Sequence, residues 1–306
     1  MDIPPQPWPT GLAEQCEPLV RRVLAPNPSP YTFTGTETYV VGAGSEVAVI
    51  DPGPAGTAVA GANGREGADT NGDGHVAAIL AAIGEAKLVA ILCTHTHRDH
   101  SPAAAPLKAA TGAPIIGCAP LVLKDDGPRA DAAFDPTYTP DRVLSDGEQV
   151  KGEGWTIEAV ATPGHTSNHL CYSLVESGAL FTGDHVMGWS TSVVSPPDGD
   201  MAAYMASLQK LHDRTDTVYY PAHGPAVTNP RQLVRGMLGH RRSRESQIVR
   251  LLGTGVDEIP AMVTQMYKGL DPRLHGAAGR SVLAHLVDLE RQGRVSRSGE
   301  LWTIRH

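Results

Sequence analysis

A chain of 306 residues with 41% hydrophobic side chains can bury a large core, which excludes a disordered protein and predicts a globular chain of one large domain and a smaller one. Only 5% of residues are aromatic, while 33 glycines and 25 prolines point to many turns between short elements, not a helical bundle. The formal charge of −8 argues against nucleic acid, but residues 231–306 hold 13 Lys and Arg against 7 Asp and Glu, leaving 12 against 26 in the first 230, so a polyanionic partner stays open.

The N-terminus has neither a basic start nor an apolar run, and no window reaches roughly 18 uninterrupted apolar residues, so a cytoplasmic protein is expected. Cys16, Cys93, Cys118 and Cys171 form no C-x-x-C pair, which predicts reduced thiols, with Cys93 and Cys171 in the core.

In chain order, 10–24 is expected to form a short amphipathic helix, and 38–41 with 46–50 a β-hairpin ending in the turn Asp51-Pro52-Gly53. The stretch 54–75 is rich in Gly and Ala. Its Asp69-Thr70-Asn71-Gly72-Asp73-Gly74 imitates half of a calcium loop, but Leu80 stands where a bidentate Glu is needed, so 54–75 reads as a surface insertion. A helix over 76–84, a buried strand over 88–93, a helix over 103–111 and a strand over 114–117 give a βαβ rhythm. Strands are expected over 155–160, 169–175, 179–181 and 217–220, with a helix over 204–211. From Arg231 the pattern becomes three helices, about 233–252, from Pro260, and 276–292, followed by a hairpin around Ser298-Gly299, which is winged-helix-like. The expected domains are 1–230 and 231–306.

The strand 88–93 runs into His95-x-His97-x-Asp99-His100, four metal-ligand types in six positions. Three further strand patterns end at His165, Asp184 and His223. A polar loop could hold a pair of histidines by chance, but α/β sites collect at strand ends, and here four strand patterns run into loops bearing His or Asp. His95, His97 and His165 are expected to hold one ion, Asp99, His100 and His223 a second, with Asp184 bridging. Two cations would bring a shared water close to neutral pKa and polarise the oxygen under attack, with Asp99 orienting that water or taking its proton. His169 and His185 are expected to support the ligands or to touch substrate. Two zinc ions suit five histidines and two carboxylates, with manganese or iron as other options.

The motifs Thr94-His-x-His-x-Asp-His100, Thr162-Pro-Gly-His-Thr166, Thr182-Gly-Asp184 and Pro221-x-His-Gly224 resemble the metallo-β-lactamase superfamily. That resemblance implies an α/β fold, an αββα sandwich with a dinuclear site at its edge. Gly35-Thr-Glu-Thr-Tyr39, the run to His169, Tyr219–Pro225 and His240-Arg-x-x-Arg-Glu-x-Gln-Ile248 before a winged helix are similar to the β-lactamase-like protein 2 family. Its animal members are single-strand-specific endoribonucleases and its bacterial relatives mostly generic hydrolases. Glyoxalase II is also similar around 162–184, but Thr96 stands where that family usually has a third His, and its glutathione-binding helical domain differs from a winged helix.

The reading is a dinuclear zinc hydrolase acting on an ester, thioester, lactone or related acyl substrate. The alternatives are a single-strand-specific endoribonuclease using Arg280, Arg291, Arg294 and Arg297 on phosphates, and a nucleic-acid-binding regulator with a vestigial metal site. Antibiotic hydrolysis is expected at most as a side activity. A small-molecule substrate is the expected partner, single-stranded RNA the alternative, with no membrane; a homodimer stays open.

Overall fold

The structure is a computed structural model that describes residue 5 and residues 8–55, 72–122 and 134–305. The chain packs as two compact units, one of residues 1–161, 168–190 and 216–228, the other of 162–167, 191–215 and 229–306.

The first unit is built on two sheets. One has seven strands, β1 Ala13–Glu17, β2 Val20–Leu24, β3 Glu37–Val41, β4 Glu46–Ile50, β5 Lys87–Cys93, β6 Ile115–Gly117 and β7 Arg142–Val143, hydrogen-bonded in chain order. Its first four strands run antiparallel, and β4 to β7 run parallel. The crossovers in this parallel half contain α1 Gly72–Ile83 and α2 Ala104–Thr111. The other sheet follows the order β12 Val218–Pro221, β11 Ala179–Gly183, β10 Leu170–Leu174, β9 Trp155–Ala161, β8 Gln149–Gly152. Val40, Val49, Ile91 and Leu92 of the first sheet share one core with Ile157, Tyr172 and Phe181 of the second, so the unit is an α/β sandwich of the expected kind.

Residues 10–24 correct the expectation of a helix: they form the hairpin β1–β2, with Ala13 opposite Val23 and Glu14 opposite Arg22. Pro18 lies between the strands, where a helix would lose a backbone bond and clash, whereas a turn accepts the fixed φ. Arg22 then reaches across the pair to Glu14 at 2.7 Å. The strands β7 and β8 went unread: β7 has two exposed residues, and β8 shows only one buried side chain, Val150.

Of the stretch 54–75, residues 56–71 lie outside the described residues. From Gly72 the backbone is already helical, so most of the calcium-like run from Asp69 to Leu80 is helix and not loop. No helix among the described residues is long and apolar enough to cross a membrane. All four cysteines are free thiols, with Cys93 and Cys171 fully buried.

The second unit contains α3 Met201–His212, α4 Pro230–Gly253, α5 Ile259–Met266, α6 His275–Arg291 and the hairpin β13 Val295–Ser298 with β14 Leu301–Ile304. Asp200 caps α3 by accepting the Ala203 N–H, and Pro residues start α4 and α5. Ile248, Leu252, Met262, Val263, Val282, Leu286, Val295 and Trp302 form one apolar core, the winged-helix arrangement of three helices and a hairpin. In this packing α3 groups, with residues 162–167 and 191–200 before it, with residues 229–306.

Candidate metal centre

Strand β5 is buried from Ala90 to Cys93 and lies between β4 and β6, so its C-terminal end is held rigidly where Thr94 begins the ligand loop. That loop is pinned to the turn after β4: Gly53 N–H donates to the His100 carbonyl at 2.9 Å, and Ala103 N–H to the Gly53 carbonyl at 3.0 Å. Strand β11 delivers Asp184 through Gly183, which has φ +49; a Cβ there would come within 2.6 Å of Thr94 Oγ1 and 2.8 Å of His169 Nε2. Strand β12 delivers His223, and the loop between β9 and β10 carries His165.

Donor atoms of His95, His97, His165 and Asp184 lie within 4.8 Å of one another, as do those of Asp99, His100 and His223. Asp184 also touches the second group, with Oδ1 3.2 Å from His223 Nε2 and 3.5 Å from His100 Nε2. Asp99 Oδ2 is 3.2 Å and 3.5 Å from the same two nitrogens. The structure thus brings all seven expected ligands together. His169 and His185 belong to neither group; they are buried, with the His169 ring 5.1 Å from that of His95 and 5.8 Å from that of His185.

Ring tautomers decide whether these histidines can bind a cation. The Asp51 carboxylate only accepts, so His100 Nδ1–H donates to its Oδ2 at 3.0 Å. Thr94 Oγ1–H donates to Asp51 Oδ2 at 2.8 Å, leaving the hydroxyl oxygen free to accept His95 Nδ1–H at 3.0 Å. His165 Nδ1–H donates to the Val193 carbonyl at 2.6 Å, and His223 Nδ1–H to the Gly35 carbonyl at 3.1 Å. Four rings therefore keep their proton on Nδ1 and, when neutral, turn a lone pair on Nε2 toward the cluster. His95 Nε2 meets His97 Nδ1 at 3.0 Å, a spacing met by a hydrogen bond from His97 Nδ1–H or, with both nitrogens unprotonated, by a cation shared between them.

Spacing gives a second test of fit. Bonds of ~2.0–2.1 Å at tetrahedral angles separate neighbouring ligand atoms by roughly 3.3 Å. The separations of 3.0 Å between His95 and His97, and of 3.2–3.5 Å from Asp99 and Asp184 to His100 and His223, straddle that value, while each donor group as a whole lies within 4.8 Å. Charge agrees as well. Burial alone would raise the Asp99 carboxyl, but His100 and His223 outweigh it and hold it well below the usual carboxylate range. Burial would lower both imidazoles, yet the carboxylates of Asp99 and Asp184 raise them, joined at His100 by Asp51. Five imidazoles and two carboxylates, without a thiolate, suit divalent cations.

Asp51 is the functional residue that sequence reasoning missed. It accepts Thr94 N–H at 2.7 Å as well as the Thr94 hydroxyl and His100, at φ +48, an uncommon backbone conformation for a residue other than glycine. Its only signal was the turn Asp51-Pro52-Gly53, read as punctuation.

The metallo-beta-lactamase superfamily model matches residues 31–223, and the beta-lactamase associated winged helix domain matches 259–302. An atrochrysone carboxyl ACP thioesterase of Cryptosporiopsis sp. (strain 8999) is 32% identical over 259 residues, covering 84% of this chain and 70% of its own length. The beta-lactamase-like protein 2 homolog of Drosophila melanogaster is 31% identical over 295 residues, 92% of this chain and 91% of its own. The crystal structure of a metallo-beta-lactamase family protein from Thermus thermophilus shares the fold with a TM-score of 0.72 at 22% identity, over 95% of this chain and 100% of that one. The chain belongs to the metallo-β-lactamase superfamily and is a hydrolase of that superfamily, carrying a β-lactamase-associated winged helix.

Proposed function

We propose that the protein is a dinuclear, zinc-dependent hydrolase of an acyl substrate, with a thioester, ester or lactone as the bond cleaved. The observation that carries the two-metal reading is Asp184, whose carboxylate belongs to one donor group and lies 3.2 Å from His223 of the other. Zinc is favoured by the nitrogen-rich donor set; manganese and iron also accept it. When bound, the two cations would lower the pKa of a shared water toward neutrality and polarise the substrate oxygen under attack. With the ions bound, Asp99 would stay ionised beside such charge and would orient the attacking water or take its proton. Asp51, Thr94, Val193 and Gly35 hold the imidazoles in the tautomer that the chemistry requires.

Acyl chemistry is favoured over phosphodiester cleavage by how the basic residues of the second unit are used. Arg291 pairs with Asp200, Arg294 Nη1 lies 2.5 Å from Glu245, and Arg297 lies 3.5 Å from Glu300 and over the Trp302 ring. Three of the four arginines that would meet phosphates are locally neutralised, so the face offers little net charge to a polyanion. The thioesterase name of one relative puts acyl thioesters first among the substrates to test.

The test is to assay the purified, zinc-loaded chain against acyl thioesters, esters, lactones and single-stranded RNA, beside Asp184→Ala. The expected result is about two ions per chain and acyl turnover that Asp184→Ala abolishes. RNA cleavage lost in Asp184→Ala, without acyl turnover, would replace this reading with the endoribonuclease. A chain with neither metal nor turnover would leave the nucleic-acid-binding regulator.

A further inference from the structure

The motif His240-Arg241-x-x-Arg244 on α4 has no part in the ligand set, yet Arg241 is 3% exposed. A guanidinium keeps its charge at any working pH, and burying it without a counter-charge costs several kcal/mol. Among the described residues Arg241 has no carboxylate partner, and its Nε finds no hydrogen-bond acceptor. What it holds instead is a backbone carbonyl and a ring: Nη2 donates to the Ser192 carbonyl, and the guanidinium lies over the Tyr204 ring, 5.0 Å from its centroid.

Both contacts lead to one metal ligand. The residue after Ser192 is Val193, whose carbonyl accepts His165 Nδ1–H at 2.6 Å. Tyr204 is fully buried on α3 and packs against Gly164, where a Cβ would come within 2.3 Å of the Tyr204 Cα. Asp200 N–H donates to the Gly164 carbonyl at 2.9 Å, and Ser207 Oγ–H to the Pro163 carbonyl at 2.8 Å. The backbone before His165 is thus fixed by α3, and the carbonyl that sets its ring is fixed from α4 through Ser192.

We propose that Arg241 is a positioning residue for the metal ligand His165, acting through the Ser192–Val193 backbone. Helix α4 then has a task beyond its own packing: it orients the His165 imidazole. Without the guanidinium, the Ser192 carbonyl would turn toward another donor, and the Val193 carbonyl would no longer select the Nδ1–H tautomer. This inference rests on the metal reading of His165.

The test is chelator-competition titration with zinc, read as the affinity of each ion, on the full chain and on Arg241→Met, His165→Gln and the double variant. Loss of an outer hydrogen bond of this kind typically weakens metal binding ~10–100-fold. Arg241→Met is expected to weaken by that factor the ion that His165→Gln weakens, and to add little in the double variant, since both act on one ligand. Arg241→Lys, which can still reach the carbonyl, is expected to recover part of the loss and also serves if the Met variant fails to fold. Arg244→Met, whose Nη1 donates to the Met266 carbonyl at 2.9 Å, is the control and should leave both affinities unchanged. Unchanged affinities in Arg241→Met, additive losses in the double variant, or an equal loss in Arg244→Met would overturn the proposal. A wild-type chain that holds one ion would instead refute the two-metal reading, and the coupling would be measured on that ion.

Discussion

Replacing Asp51 by Asn tests whether the site depends on a carboxylate that touches no substrate and binds no ion. Its two oxygens accept three hydrogen bonds, from Thr94 N–H at 2.7 Å, Thr94 Oγ1–H at 2.8 Å and His100 Nδ1–H at 3.0 Å. An amide has one acceptor oxygen and cannot accept all three. If its NH2 replaces Oδ1, it confronts the Thr94 N–H, donor against donor. If it replaces Oδ2, it donates to His100 Nδ1, which must then give up its proton; the proton moves to Nε2, and His100 loses the lone pair that faces the cluster. Hydrogen bonds to charged groups contribute roughly 1.5–3 kcal/mol each, so the Asn variant should lose about 2–3 kcal/mol of stability. An outer-shell change of this kind costs about 10–100-fold in metal affinity, or ~1.4–2.8 kcal/mol. Urea unfolding of the metal-free chain measures the first quantity, and zinc titration against a chelator measures the second. The loss should fall on the His100 ion and spare most of the affinity at His97 and His165. An Asp51→Asn chain that binds both ions as tightly as wild type would refute the argument that this carboxylate sets the tautomer.

Gly164→Ala would drive a methyl group into the α3 backbone at φ +138, so we expect about 1–3 kcal/mol of destabilisation together with weaker binding of the His165 ion; thermal unfolding and zinc titration would check both. Asp184→Asn should weaken both ions, whereas Asp99→Asn weakens mainly one, because Asp184 belongs to one donor group and reaches His223 and His100 of the other; equal stoichiometry in the two variants would contradict this. His285 is depressed from 6.5 to about 3 by burial first and then by Arg241, His240 and Arg244. The unfolded chain binds this proton below pH 6.5 and the folded chain does not until about 3, so its stabilising contribution is complete above 6.5 and is lost as the pH falls toward 3. Between pH 7.5 and 5 that amounts to roughly 2 kcal/mol, and His285→Gln should lose correspondingly less stability over the same range; parallel urea midpoints for the two chains would show that the folded state accepts the proton.

The strands and helices that frame the site were legible because each carries its own period or stop signal. The apolar run of β5, the alternation of β9 and the glycines that end strands all act within a few residues. At 13–24 the sequence points the wrong way, because Cys16, Val20, Val23 and Leu24 fall at helical spacing by accident, while Pro18 forbids that helix and suits the hairpin. β8 was invisible because its partner β9 supplies the order: Val150 and Lys151 pair with Ile157 and Thr156 through a tight turn, and four mostly polar residues show no pattern of their own.

The same distinction divides the site. The seven candidate ligands were readable because a metal site would constrain residue type directly, and because the close approach at each strand end restricts its neighbours. Gly183 must lack a Cβ to let β11 pass Thr94, and Gly164 must lack one to pass Tyr204, so each of these two ligands arrives with a glycine beside it. Asp51 and Arg241 act at one remove. Asp51 reaches Thr94 and His100, 43 and 49 residues away, and Arg241 reaches Ser192, also 49 residues away. Nothing near them in sequence records those distances, because the constraint is on hydrogen-bond polarity and not on size or period. A carboxylate at the end of β4 and a guanidinium on α4 look like any turn and any surface charge until their partners are seen to be a ligand ring and the carbonyl beside one. The ligands of such a centre are therefore easier to find than the residues that make them bind, and loss of function in this fold should often trace to positions that no ligand motif contains.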